Sequence, residues 1–311
     1  MNHTYTIETI ELTKNYGDFT AVNKLNLQIG EGEIFGFLGP NGAGKTTTIL
    51  MLLGLTEPTS GNVLIDGLSP VKDPIKVKRI TGYLPEKVGF YEDLTATQNL
   101  EYTARLNNLA RNQIPDKIKD ILHSVGLSDV ANQQVSQFSH GMKQRLGIAD
   151  VMIKDPKIIF FDEPTSGIDP KGTDEMLTLI SNMAEKKITA VISSHLLHHI
   201  QKICTRVGIM DKGQLLAEGT IDLLGRNTLS NGKFQIEIHA NPITTELVNI
   251  IKNIDEVIKL ESDENTLIIS CDEDIRPRIA KIIVDNDSLL SEMKIEEYGL
   301  EEIYMKYFRE S

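Results

Sequence analysis

The amino-acid sequence predicts an α/β protein. A mainly parallel sheet forms the core, antiparallel strands precede it, a helical segment interrupts it, and a small α+β unit follows. Three observations carry this. A glycine loop, "GPNGAGKT" (39–46), joins a short apolar run to a helical one. Further apolar runs at 158–162 and 189–194 alternate with stretches of helical spacing, as in a parallel sheet. After Gly225 the order becomes β-α-β-β-α-β, that of a ferredoxin-like unit.

Taken in order, the first thirty residues alternate apolar and polar, with Ile7, Ile10 and Leu12 and then Leu25, Leu27 and Ile29. A Gly17-Asp18 turn between them predicts an antiparallel pair. "EIFGFLG" (33–39) reads as a buried strand, and the loop after it opens a helix ending at Gly54. "SGNVLIDG" (60–67) is a short strand closed by turns. Residues 93–135 are expected to be helical, since "DLTATQNLEYTARL" shows helical spacing after an Asp/Thr start. A strand at 158–162, a helix over 171–186, a strand at 189–194 and a helix from 196 follow. In the last part, "FQIEIHA", the two runs of "VIKLESDENTLIIS" and "EMKIEEY" read as strands. "TTELVNIIKNI", "DIRPRIAKIIVDN" and "LEEIYMKYF" read as helices, and Pro277 falls in a first turn, where its missing N–H costs little.

At 311 residues the chain is long for one core, so two domains are expected, 1–225 and 226–311. No apolar run approaches bilayer length, and the N-terminus lacks the basic start and apolar core of a signal peptide. Cys204 and Cys271 are far apart and predict reduced thiols. Residues 233–311 hold 18 Asp/Glu against 9 Lys/Arg, within a net charge of −12. An acidic tail repels polyanions, which argues against a nucleic-acid partner.

The chemistry concentrates in three places. The pattern at 39–46 is G-x-x-x-x-G-K-[ST] between a strand and a helix, so the chain is expected to be a P-loop NTPase. Backbone N–H groups of Gly39, Pro40's neighbour Asn41, Gly42, Ala43, Gly44 and Thr47 would surround phosphate oxygens. Lys45 would meet the β- and γ-phosphates, and Thr46 would offer its hydroxyl to Mg²⁺. "IIFFDE" (158–163) ends a buried strand in two carboxylates. Asp162 is expected to hold Mg²⁺ and Glu163 to accept a proton from the attacking water. His195 follows the next strand, where an imidazole can bond the γ-phosphate. His198 and His199 are expected on a helix surface, because zinc needs three or four convergent ligands. "FSHGMKQRLGIAD" (138–150) raises a different issue, since it is a second helix start suited to an anion.

The succession of glycine loop, "FSHGM", "IIFFDEP", "SGID" and "SSH" resembles the ATP-binding subunits of ABC transporters, over residues 4–222 or so. "GYLPE" (82–86), "GMKQRLGIA" and "LEEIYMKYF" resemble the multidrug and antibiotic-export group of ABC-2-type ATPases. The resemblance implies an ABC cassette with antiparallel and helical subdomains, binding ATP and Mg²⁺ and hydrolysing ATP. Tyr16 would stack on adenine. Ser139, Gly141 and Met142 would stand in the signature, usually Leu-Ser-Gly-Gly-Gln, from which Phe138, His140 and Met142 depart. In such proteins two subunits pair head to tail, so the second helix start faces a phosphate held by the partner. Asp169 of "SGID" would lie at the same interface. Glu86, where many relatives have Gln, would contact Mg²⁺. "KVGFYEDLT", with Val88, Phe90 and Tyr91 exposed, would help accept a short helix of a membrane permease.

The implied protein is a peripheral subunit on the cytoplasmic side of the cell membrane, paired with a second copy or a homologous ATPase subunit and energising a separate permease, in the export direction. The alternative is a soluble ABC ATPase of translation or cofactor assembly. Translation relatives usually carry two cassettes, and this chain has one. An ATP-binding regulator without turnover is disfavoured by Glu163.

Overall fold

A computed structural model describes residues 5–229, 233–295 and 299–309. The chain forms two compact units, Met1–Glu218 and Gly219–Ser311. In the first, the elements are β1 (Ile7–Tyr16), β2 (Phe19–Ile29), β3 (Ile34–Leu38), α1 (Lys45–Leu52), β4 (Ser60–Ile65), α2 (Pro74–Ile80), β5 (Thr81–Leu84) and α3 (Ala96–Leu106). Next come α4 (Ile114–Ser124), α5 (His140–Met152), β6 (Ile158–Asp162), α6 (Pro170–Glu185), β7 (Thr189–Ser194), α7 (Leu197–Ile203), β8 (Arg206–Asp211) and β9 (Gln214–Gly219), whose last residue opens the second unit.

Two sheets build the first unit. β1 pairs antiparallel with β2 and with β4, in the order β2-β1-β4. The larger sheet has the order β5-β6-β7-β3-β8-β9 and is parallel from β5 through β8. All five residues of β3 and of β6 are buried, as expected of strands covered on both faces. Phe35, Phe37, Phe160 and Phe161 are fully buried, and each contributes about 2–3 kcal/mol. Ile49, Met51 and Leu52 of α1 join one core with Phe35, Phe37 and Phe160 of the large sheet and Ile7, Leu25 and Ile29 of the small one. That packing fixes the helix behind the glycine loop.

The helical segment differs from one continuous stretch over 93–135. α3 stops at Leu106, where Asn107 and Asn108 turn the chain and Asn108 takes φ +59°. Only short 3₁₀ turns at Ser128–Val130 and Val135–Gln137 follow α4. A capping box of Thr95 and Gln98 starts α3. α5 lies close against β5, because a Cβ on Gly147 would stand 2.4 Å from the side chain of Leu84.

The second unit runs α8 (Ile221–Leu229), β10 (Phe234–Asn241), α9 (Thr245–Lys252), β11 (Val257–Asp263), β12 (Thr266–Cys271), α10 (Arg276–Asp285), β13 (Leu289–Ile295) and α11 (Leu300–Arg309). Its sheet is antiparallel with the order β11-β12-β10-β13. Ile236, Ile238, Leu267 and Ile269 share a core with Leu247 and Ile251 of α9 and with Ile279 and Ile283 of α10. α8 meets α11 through the hydroxyls of Thr228 and Tyr307, 3.2 Å apart. Residues 296–298 of the expected strand "EMKIEEY" lie outside the described residues.

Candidate functional site

The glycine loop is shaped by what surrounds it. Gly44 takes φ +102°, and a Cβ there would stand 2.5 Å from the carbonyl of Ala21, so no other residue fits. α1 begins at the next residue, and a helix start leaves N–H groups free for an anion. Gly39, Ala43 and Gly44 are buried, whereas Pro40, Asn41, Gly42 and Thr46 face solvent and Thr47 is half-buried. Lys45 is only 7% exposed. Its ammonium donates to the carbonyls of Gly39 (2.6 Å) and Pro40 (3.2 Å) and stands 4.0 Å from a Glu163 carboxylate oxygen. Burial lowers the Lys45 pKa, and the Glu163 and Asp162 carboxylates pull it back up.

Asp162 and Glu163 arrive at the same edge because β6 ends there. Asp162 is 6% exposed, and its Oδ1 accepts from the hydroxyls of Thr46 (3.1 Å) and Ser193. Glu163 adopts φ +49°, a left-handed conformation that costs a non-glycine residue about 1–3 kcal/mol. Its N–H donates to Ser193 O at 3.1 Å, and its Oε2 stands 2.9 Å from His195 Nδ1. Five residues from three separated stretches (Lys45, Thr46, Asp162, Glu163 and His195) therefore converge at one sheet edge.

The other expected site residues lie elsewhere. Ser139 caps α5, its Oγ accepting from Met142 N–H at 3.3 Å. That bond uses a lone pair and leaves the hydroxyl hydrogen free to donate. Gly141 lies against Ile168, and Asp169 caps α6 by accepting from Gly172 N–H at 3.4 Å. Tyr16 ends β1, half exposed, with the Lys14 ammonium 4.9 Å from its ring centre. Glu86 is exposed, and its carbonyl accepts from the fully buried Gln144 amide at 3.0 Å. None of these bonds to the Lys45–Glu163 cluster among the described residues. Val88 and Phe90 are half-buried rather than exposed, Val88 because it packs beside Gly147 of α5. Tyr91 is exposed and meets Tyr102 edge to face at 5.2 Å.

Two residues beyond the expected set stand beside Asp162, and His199 departs from the helix surface expected of it. Ser193 orients Asp162 from β7. Tyr83, on β5, lies near Asp162, and burial with that carboxylate pushes its pKa up to about 12. His199 is part-buried, and its Nδ1 stands 3.0 Å from the hydroxyl of buried Thr165. Burial, with His198 and Lys202 nearby, lowers its pKa. The motifs "SSH" and "GYLPE" contain Ser193 and Tyr83, but nothing in their spacing marks either as a neighbour of Asp162. No group of three or more His, Cys, Asp or Glu suited to a metal occurs among the described residues.

A family profile described as "ABC transporter" matches residues 22–166. The bacitracin transport ATP-binding protein BcrA of Bacillus licheniformis is 43% identical over 231 residues, 74% of this chain and 74% of that protein. The linearmycin resistance ATP-binding protein LnrL of Bacillus subtilis (strain 168) is 30% identical over 305 residues, 96% of this chain and 97% of that one. Among solved structures, an ATP-binding subunit of an ABC transporter gives a TM-score of 0.66 at 28% identity, covering 71% of this chain and 92% of that chain. A dimeric ATP-binding cassette in a post-hydrolysis state, bound to ADP and Pi, gives 0.63 at 25% identity, covering 69% and 98%.

Proposed function

Because the chain belongs to the ATP-binding subunits of ABC transporters, and is an ATPase of that family, we propose that Lys45, Asp162, Glu163 and His195 form its hydrolytic centre. The observation that carries this is the convergence of those side chains beside the glycine loop, with Glu163 standing between Lys45 and His195. Lys45 offsets the charge of the β- and γ-phosphates. Glu163 takes the proton of the attacking water, and His195 holds the carboxylate in place and meets the γ-phosphate.

An all-oxygen pair, the Thr46 hydroxyl and the buried Asp162 carboxylate 3.1 Å apart, suits a hard cation. Mg²⁺ bound there, with Glu86 reaching it, would neutralise developing charge on the phosphates. Ser193 aims the Asp162 carboxylate, and Tyr16 offers its exposed ring to the adenine.

Pairing completes the site. A second copy, or a homologous ATPase subunit, docks head to tail, so that Ser139, Gly141 and Met142 meet the γ-phosphate held by the partner's loop and Asp169 lies at the same interface. A membrane permease takes up the resulting motion. No helix among the described residues is long and apolar enough to cross a membrane. Within "KVGFYEDLT", the exposed Tyr91 beside Tyr102 offers a contact for a short permease helix. The subunit sits at the cytoplasmic face of the membrane, and the bacitracin transport and linearmycin resistance in the names of BcrA and LnrL support export of antibiotic-like compounds. We read the second unit, 226–311 with α8 leading into it, as a ferredoxin-like accessory domain that binds or regulates.

Glu163→Gln keeps the hydrogen bond and removes the proton acceptor, so ATP persists and the mutant shifts from monomer to dimer on adding ATP. Adding Ser139→Arg returns it to monomer while the monomer still binds ATP. Size-exclusion chromatography with light scattering reads both. A double mutant that still dimerises rules out "FSHGM" as the second half of the site.

A further inference from the structure

The turn from Glu163 to Asp169 is held from several sides. His140, the first residue of α5, places its Nε2 2.9 Å from the carbonyl of Ser166. A carbonyl only accepts, so Nε2 carries the hydrogen, and both the neutral tautomer and the imidazolium can make this bond. The N–H of the same Ser166 donates to the carbonyl of Glu163 at 3.1 Å. Gly167 takes φ +70°, and a Cβ there would stand 3.5 Å from the His140 ring, as one on Gly141 would stand 3.5 Å from Ile168, so the turn and the α5 start lie close together. One residue, Ser166, therefore connects the start of α5 to the residue that carries the general base.

The far side of Glu163 is anchored, since its N–H is held by Ser193 on β7. Its left-handed backbone makes the direction of the carboxylate depend on the turn that follows. A displacement of the α5 start is thus passed through Ser166 to Glu163 rather than lost in solvent. Where the ABC signature usually has a glycine, this chain has a side chain that can grip the turn.

We propose that His140 is a positioning residue that couples the two nucleotide sites of the dimer. It ties the helix start facing the partner's ATP to the turn bearing this chain's own Glu163. The proposal rests on the head-to-tail reading above. It goes beyond that reading by assigning His140 a role inside its own chain rather than at the partner's phosphate.

The test uses the full chain with His140→Ala and His140→Gln, since a glutamine amide can donate to the same carbonyl. For His140→Ala, kcat falls about ten-fold, within the usual range of coupling between sites, while KM stays within about two-fold. The wild-type rate is expected to depend sigmoidally on ATP; in His140→Ala the curve flattens towards a hyperbola, and His140→Gln restores both properties. In the Glu163→Gln background, His140→Ala still dimerises with ATP, as a merely structural loss of the α5 start would not allow. If Glu163→Gln alone fails to dimerise, the head-to-tail reading falls and takes the proposal with it. If it dimerises but His140→Ala turns over ATP like the wild type, the proposal alone is overturned. A hyperbolic wild-type curve, a failure of His140→Gln to rescue, or loss of dimerisation in the His140→Ala, Glu163→Gln double mutant overturns it too.

Discussion

The ammonium of Lys45 lies among the carbonyls of Gly39 and Pro40, with Glu163 4.0 Å away, so the loop already holds a cation where a phosphate chain is to lie. Lys45→Ala removes that charge without touching the buried aromatic core. ATP turnover is expected to fall by about a thousand-fold, as when a main electrostatic contact to the transition state is lost, with the melting midpoint little changed. A phosphate-release assay and a thermal melt on one preparation check both halves. Ser193 acts one step further out. Its hydroxyl is one of two protein donors to Asp162 Oδ1, so Ser193→Ala leaves that oxygen with Thr46 alone. The Mg²⁺ concentration needed for half-maximal turnover should rise about ten-fold, while ATP binding measured without Mg²⁺ stays as it was. An unchanged Mg²⁺ titration would mean that Thr46 suffices to orient the carboxylate.

Among the elements, α5 carries a buried carboxyl whose cost solution pH can expose. Asp150, near its end, has its pKa raised by burial, against the opposing Thr103 hydroxyl and Lys154 ammonium. A carboxyl whose folded pKa lies above its unfolded value contributes stability below the unfolded pKa, near 4, and loses it as pH rises through the folded value. Asp150→Asn holds the neutral form at every pH, and Lys154 keeps the carbonyl of Lys78 at 2.7 Å. The mutant should melt about 2 °C higher at pH 8, with the gain vanishing near pH 4. Equal midpoints at pH 8 would show that Lys154 fully offsets the buried charge. The elements also differ in how plainly the residues announce them. β3, β6 and β7 could be read because each is a continuous apolar run buried on both faces. β5, "TGYL", is four residues on a sheet edge, and β9, "QLLAEG", is half exposed, so neither forms such a run. The turn between β8 and β9 did leave a signal. Lys212 and Gly213 both take positive φ, as a two-residue hairpin requires, and "DKGQ" is a sequence that permits it. Lys45, Asp162, Glu163 and His195 were legible as a loop and two strand ends. The Ser193 and Tyr83 contacts with Asp162 depend on the β5-β6-β7 order, and the His140 contact on how α5 meets the turn. Neither arrangement is written in local spacing.

For the whole molecule, the core joining the two sheets is built, among the described residues, from residues up to Met210, with Leu215 packed against it, and the second unit has a separate core. A chain ending at Glu218 is therefore expected to fold and bind ATP alone, checked by a melt with and without nucleotide. Failure to bind would show that the second unit completes the cassette. A cut after Gly225 should give a less soluble product, because it divides α8, which packs on α11 within the second unit. The strand order has one further consequence, and it concerns time. β3 emerges early in synthesis, but its neighbours in the sheet are β7 and β8, which are made more than 150 residues later. Pairings this distant in sequence form slowly and late. A ribosome-bound chain should therefore gain no ATP protection against proteolysis until Asp211 has cleared the exit tunnel. Until then β3, whose five residues are all buried in the finished sheet, is an exposed apolar strand that the cell must keep from aggregating.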